Sequence, residues 1–193
     1  RYNWQQAMEI IIPAAKALDF AHKNNIIHGN LRPSNILFDA EETVKLTDFG
    51  LPPHYQGSSL KNWYGPPEKR KSRAGDLYSL GVILFQMLTG RIPSYDNRGN
   101  LDFGEDRQHL PEGMQHILNR LAAIRVARRY QTCGEFLEGW DAFQEEQAMA
   151  RVIQPSQPPA EIGQRRRLRT YVLVAAAVLL LIAVVLFVTG QLG

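Results

Sequence analysis

The chain has a single cysteine, Cys133, so no intramolecular disulfide can brace it, and no cluster of metal-ligating residues accompanies it. A reducing compartment fits that usage. A sustained charge excess is also missing. Of the 22 Lys+Arg, Arg165, Arg166, Arg167 and Arg169 sit together near the C-terminal end, leaving 18 against 19 Asp+Glu over residues 1–164. That near-neutral balance argues against nucleic acid as a partner. No internal repeat is visible, and no charged-then-apolar signal segment stands at the front. The chain opens on Arg1 and not Met, and is expected to be part of something longer.

What is present suffices for a core: 45% of the residues are hydrophobic and 21% charged. Trp4, Met8, Ile11, Ala15, Leu18 and His22 recur at helical spacing, and Ile10, Ile12, Ala14 and Phe20 widen the apolar surface. A largely buried helix is expected, kinked at Pro13 or starting near it. Asn24-Asn25 ends it, and Ile26-Ile27 leads inward. Ile36–Phe38 and Thr43–Thr47 read as two short strands around an Asp39–Glu42 turn. Residues 48–68 are irregular, rich in Pro, Gly and Ser.

Leu77, Leu80, Gly81, Leu84, Phe85 and Leu88 predict a helix over Asp76–Thr89, with Asp76 as its cap and Gly90 as its stop. A loop-rich span, Arg91–Leu110, follows. Pro111 opens a helix through Met114, Ile117, Leu118 and Leu121. Thr132 and Glu135 form a capping box for a last helix carrying Phe136, Leu137, Trp140 and Phe143. Residues 148–170, with Pro155, Pro158 and Pro159, read as a proline-rich, basic linker, unstructured from Val152 onward.

Tyr171–Thr189 is a run of 19 residues without a charge. As a helix it would reach roughly 28 Å, one hydrocarbon thickness. It is expected to cross a membrane once, with Tyr171 at the interface. The arginines before it place the N-terminal side in the cytoplasm and leave residues 190–193 outside.

The chemistry is concentrated in His28-Gly29-Asn30-Leu31-Arg32-Pro33-Ser34-Asn35, followed by Asp48-Phe49-Gly50. An isolated D-F-G is common by chance, and a lone histidine is ordinarily a satisfied core residue. Here they stand in order with Tyr64-Gly65-Pro66-Pro67-Glu68, with Asp-Leu-Tyr-Ser-Leu-Gly at 76–81, and with Arg129-Tyr130. Together these resemble the large lobe of eukaryotic-like, bacterial-type Ser/Thr protein kinases, whose loop reads H-R-D-L-x-x-x-N before D-F-G. The resemblance covers about residues 3–147. It implies a mainly α (α+β) fold over 1–147: the C-terminal kinase lobe with a small β-hairpin, then the single transmembrane helix.

The resemblance also assigns roles. Asp48 would hold Mg²⁺, and Asn35 would offer a carbonyl oxygen to a second ion beside ATP. Arg32 stands where the family carries a Lys, and Asn30 where it carries the catalytic Asp. An amide can orient a hydroxyl but cannot take its proton, a contribution of about 10²–10⁴-fold. Gly29 removes the arginine that pairs with a phosphorylated activation segment, whatever the state of Ser58 and Ser59. His28, Phe49, Gly50, Asp76 and the pair Glu68–Arg129 are implied to be structural. The small lobe's glycine-rich loop, strand lysine and helix glutamate are not in these residues and would precede Arg1.

Three readings follow. One is a membrane-anchored pseudokinase that acts as a scaffold for a cytoplasmic protein partner. Another is an active but slow Ser/Thr kinase, using ATP and Mg²⁺, whose nucleotide lobe lies upstream. The third is a lipid-surface module, with Arg165–Arg169 on anionic headgroups. Nucleic acid is not an expected partner. The expected location is the cell membrane, with the kinase-like part cytoplasmic.

Overall fold

The computed structural model describes residues 1–51 and 63–153. Four helices dominate them: α1 (Trp4–Lys23), α2 (Arg73–Thr89), α3 (Glu112–Leu121) and α4 (Cys133–Ile153), with a hairpin of β1 (Ile36–Phe38) and β2 (Val44–Leu46) after α1. Residues 1–147 form one compact unit.

Helix α1 starts in a capping box. The Asn3 side chain accepts the Gln6 N–H at 2.8 Å, and the Gln6 side chain accepts the Asn3 N–H at 3.3 Å. The helix runs through Pro13 without ending there. Ile11, Ala14 and Ala15 on either side are fully buried. That packing outweighs the roughly 3 kcal/mol an interior proline costs. Met8, Leu18 and His22 are buried as the spacing requires. Phe20 is a correction: it was expected to widen the buried surface and is 74% exposed.

The hairpin pairs Ile36 with Leu46, Leu37 with Lys45 and Phe38 with Val44, antiparallel. Its turn is closed by Asp39, whose carboxylate accepts the Thr43 N–H at 2.8 Å. The second strand is shorter than Thr43–Thr47, because Thr47 instead donates its N–H to the Asn35 carbonyl.

Helix α2 is the centre of the core, with Ala74 through Phe85 all buried. It begins three residues before the expected start. Ser72 is its cap and accepts the Gly75 N–H at 3.0 Å, so Asp76 is not the cap but a first-turn residue turned to another use. Gly90 ends the helix in the left-handed conformation, φ +74°. Helix α3 crosses α2 at Gly81, where an added Cβ would lie 2.7 Å from the Leu121 Cβ and 2.9 Å from the Ala122 nitrogen.

At the start of α4, Thr132 accepts the Glu135 N–H at 3.0 Å, but Glu135 accepts the Gln131 N–H and not that of Thr132. The box is therefore displaced by one residue on its return side. Phe136, Trp140 and Phe143 are buried, and Trp4 meets Trp140 and Phe143 edge-on at 6.2 and 5.6 Å. Helix α4 continues to Ile153, so the first residues assigned to the linker, Val152 included, are helical. The remaining linker, Arg165–Arg169, and the apolar run 171–189 lie outside the described residues. Among the described residues no helix is long and apolar enough to cross a membrane.

Gly81→Ala is expected to destabilise the fold by about 1–3 kcal/mol, since backbone and not a flexible side chain blocks the methyl group. Urea denaturation of the two proteins measures it. Equal midpoints would mean that α2 and α3 are not in this contact.

Candidate functional site

Asp76, in the first turn of α2, is the anchor of the site and is 1% exposed. One carboxylate oxygen accepts the Gly29 N–H at 2.7 Å; the other accepts the His28 N–H at 2.9 Å and meets His22 Nε2 at 2.8 Å. A buried carboxylate is tolerable only when donors satisfy it, and here three do. Two come from the loop after α1 and one from α1 itself. The other ring nitrogen of His22 lies 3.6 Å from the Cys133 sulfur. Burial pushes that thiol up to about 12, which leaves Cys133 an inert core residue.

With its start fixed, the loop runs through Asn30 to Asn35. The Arg32 guanidinium donates to Asn30 Oδ1 at 2.9 Å. Asn35 is buried and donates from Nδ2 to Asp48 Oδ2 at 2.6 Å. The site's polar side chains thus fall into two pairs, Asn30 with Arg32 and Asn35 with Asp48, joined by one loop.

Asp48 is left-handed at φ +65°, a conformation uncommon outside glycine. It is held there by its neighbours. The Gly50 N–H donates to the His28 carbonyl at 3.0 Å, and Phe49 stacks on the His28 ring with centroids 4.6 Å apart. His28 is fully buried, and neither ring nitrogen has a hydrogen-bond partner among the described residues. Burial lowers its pKa against the opposing pull of the Asp76 carboxylate, so the ring is neutral near pH 7.

The donor set suits a hard cation. Asn35 Oδ1 is buried without a hydrogen-bond partner among the described residues, on the amide whose nitrogen donates to the Asp48 carboxylate. Among the described residues no group of three or more His, Cys, Asp or Glu gathers around it. One carboxylate and one amide oxygen are what Mg²⁺ takes when water and phosphate complete its shell. These residues therefore fit Mg²⁺ bound with a phosphate ligand, and they do not fit an all-protein metal cage.

Glu68 and Arg129 close the far side. The guanidinium is bidentate on the Glu68 carboxylate, at 2.8 Å for each oxygen. Its other N–H groups donate to the carbonyls of Ala123, Ala74 and Ile124 at 2.7, 3.2 and 3.2 Å. All five guanidinium donors are used. The Tyr78 ring lies 4.7 Å from the guanidinium carbon. Burial would raise the Glu68 carboxyl, but the Arg129 hydrogen bonds and charge outweigh it and hold it below the usual range.

Between the loop and the start of α2 lies a cleft of about 620 Å³, lined by Gly29, Asn30, Pro66, Lys69, Arg70 and Lys71 among others. Gly29 is left-handed at φ +70°, and a Cβ there would come within 2.7 Å of the Lys71 stem. The Lys71 ammonium donates to the Gly50 carbonyl at 3.2 Å. Sequence reasoning missed His22, Lys71 and the use of Asp76. All three act across gaps of tens of residues, which no local spacing encodes.

Comparison with known proteins identifies a kinase-domain fragment. The family model described as "Protein kinase domain" matches residues 2–147. A relative described as "Probable serine/threonine-protein kinase PknB" of Lactococcus lactis is 36% identical over 126 residues, which is 59% of this chain and 20% of that protein. A "Probable inactive receptor kinase" of Arabidopsis thaliana is 35% identical over 163 residues, 79% of this chain and 23% of that protein. The "Serine/threonine-protein kinase PrkC" of Bacillus subtilis is 33% identical over 154 residues, 66% of this chain and 23% of that protein. The chain therefore spans less than a quarter of the length of these relatives.

Two outcomes are expected from this geometry. Arg129→Met should cost roughly 3–5 kcal/mol in urea denaturation, since it leaves Glu68 and three carbonyls unpaired. The second concerns His28, whose pKa in the fold lies below the ordinary value of about 6.5. The unfolded chain therefore binds the proton first, and stability falls as pH drops below about 6.5. His28→Phe keeps a ring against Phe49 and should flatten the fall in thermal midpoint between about pH 7 and pH 5. An unchanged slope in that variant would show that another group is responsible.

Proposed function

The chain belongs to the protein kinase family, and from that premise we propose that it is a membrane-anchored kinase-like protein whose loop binds but does not transfer. Kinase relatives of the Ser/Thr type carry the family assignment. In this reading the protein is a pseudokinase, or a strongly impaired Ser/Thr kinase, and serves as a scaffold for a cytoplasmic partner. The apolar run 171–189 and the arginines before it are the proposed anchor.

The observation that carries the proposal is the Asn30–Arg32 pair. Phosphoryl transfer relies on positioning and charge neutralisation, with one group to orient the attacking hydroxyl and take its proton. Asn30 has no titration near neutrality, and its only acceptor oxygen is engaged by Arg32. The position can then offer N–H donors and one acceptor lone pair, but no base. Asp48 and Asn35 would hold Mg²⁺, which when bound with ATP neutralises phosphate charge. Arg32 would add a fixed positive charge beside it.

A second reading has a specific observation in its favour. The Asn35–Asp48 pair is assembled, with the Asn35 amide oxygen unpartnered among the described residues. A nucleotide lobe upstream would then make a slow ATP-dependent kinase, short of the base by about 10²–10⁴-fold.

Transfer of labelled phosphate from ATP to a generic protein substrate separates the two. The full-length wild type is expected to give no more product than its Asp48→Ala variant, and Asn30→Asp is expected to raise the rate. Wild-type transfer that Asp48→Ala abolishes and Asn30→Asp leaves unchanged would sink the proposal in favour of the second reading.

A further inference from the structure

We propose that the cleft beside Asn30 is a docking site for an acidic peptide segment of a protein partner. The inference deepens the scaffold reading and rests on it only in taking the occupant to be a protein. Its basis is the imbalance of free charge and hydrogen-bonding capacity around the cleft.

Lys69, Arg70, Lys71 and Ser72 line the cleft, and with the flanking Glu68 and Arg73 the stretch holds four cations to one carboxylate. That carboxylate is spent, because both Glu68 oxygens lie on Arg129. Asp76 is the one acidic residue in the lining, and both its oxygens are taken by His28, Gly29 and His22. The cations are not neutralised in return. Lys69 and Arg70 are exposed and have no ion-pair partner among the described residues. Among the described residues Lys71 reaches the Gly50 carbonyl, and Arg73 the His22 carbonyl and the Asn25 side-chain oxygen. Neutral acceptors leave those charges uncompensated.

Asn30 adds direction. With Oδ1 already accepting from Arg32, it keeps two N–H donors and one acceptor lone pair at the cleft wall. The charged side chains lining the cleft are thus cations, apart from the fully engaged Asp76. A ligand that fits must bring acceptors and negative charge. About 620 Å³ is concave space for a few side chains, which suits a peptide better than a flat headgroup surface. Carboxylates of an extended Asp/Glu-rich segment would meet Lys69 and Arg70 at the edge and the Asn30 amide within.

The test is fluorescence anisotropy of the full chain with a labelled Asp/Glu-rich dodecapeptide and a Lys-rich peptide of equal length. The acidic peptide should bind, and added salt should weaken it. Lys69→Glu with Arg70→Glu should weaken it by about tenfold, with an unchanged thermal midpoint because both residues are exposed. Asn30→Asp should also weaken it, since a carboxylate would face carboxylates. Equal binding of both peptides, or affinity unmoved by these variants, overturns the proposal. So does displacement of the peptide by phosphatidylserine vesicles that the double variant no longer binds. Failure here is distinct from failure of the functional reading: phosphate transfer by the wild type would refute inactivity and leave the peptide result standing.

Discussion

One buried carboxylate decides where the functional loop lies. Asp76 has given up water for three hydrogen bonds, two to consecutive backbone N–H groups at His28 and Gly29 and one to His22. Backbone donors cannot be substituted away, so the constraint is on position and not only on composition. The carboxylate sits on the most deeply buried helix, and it passes the rigidity of that helix to the start of the loop. The next links follow in sequence. The His28 carbonyl receives the Gly50 N–H, Phe49 packs on the His28 ring, and Asp48 is thereby set opposite Asn35. A charge with fewer than three donors at position 76 would cost more than it stabilises, and the loop would lose its reference point.

Much of this was legible in the residues before any coordinates. The helical spacing of Leu77 to Leu88, the paired short strands and the arginine at 129 all lie where periodicity and family resemblance put them. The errors have physical causes. An aspartate before an apolar run reads as a helix cap, but Ser72 takes that duty and frees Asp76 for a partner far away in sequence. Phe20 sits among apolar neighbours in sequence, yet its side of α1 faces outward. At Pro13 a late helix start gives way to what the resemblance implies, helix despite the proline, with Ile11 and Ala14 buried on either side. The extension of α4 to Ile153 escaped because prolines further on drew the boundary too early.

The two halves of the site differ in how they are held. Asn35 and Asp48 are tied to the core through the hairpin and the His28–Gly50 contact. The Asn30 side chain is tied, among the described residues, to its near neighbour Arg32. Gly29, by contrast, is held by the Asp76 carboxylate through its N–H, and its left-handed backbone leaves room for the Lys71 stem, which bridges loop and turn. The residues that give shape and the residue that would give chemistry are consequently different ones.

That separation bears on how such a chain can change over generations. Exchange of a carboxylate for an amide at position 30 touches neither the Asp76 anchor nor the Arg129 clasp, so selection on folding would scarcely register it. Position 30 can therefore change by a single codon while the architecture around it stays as it was.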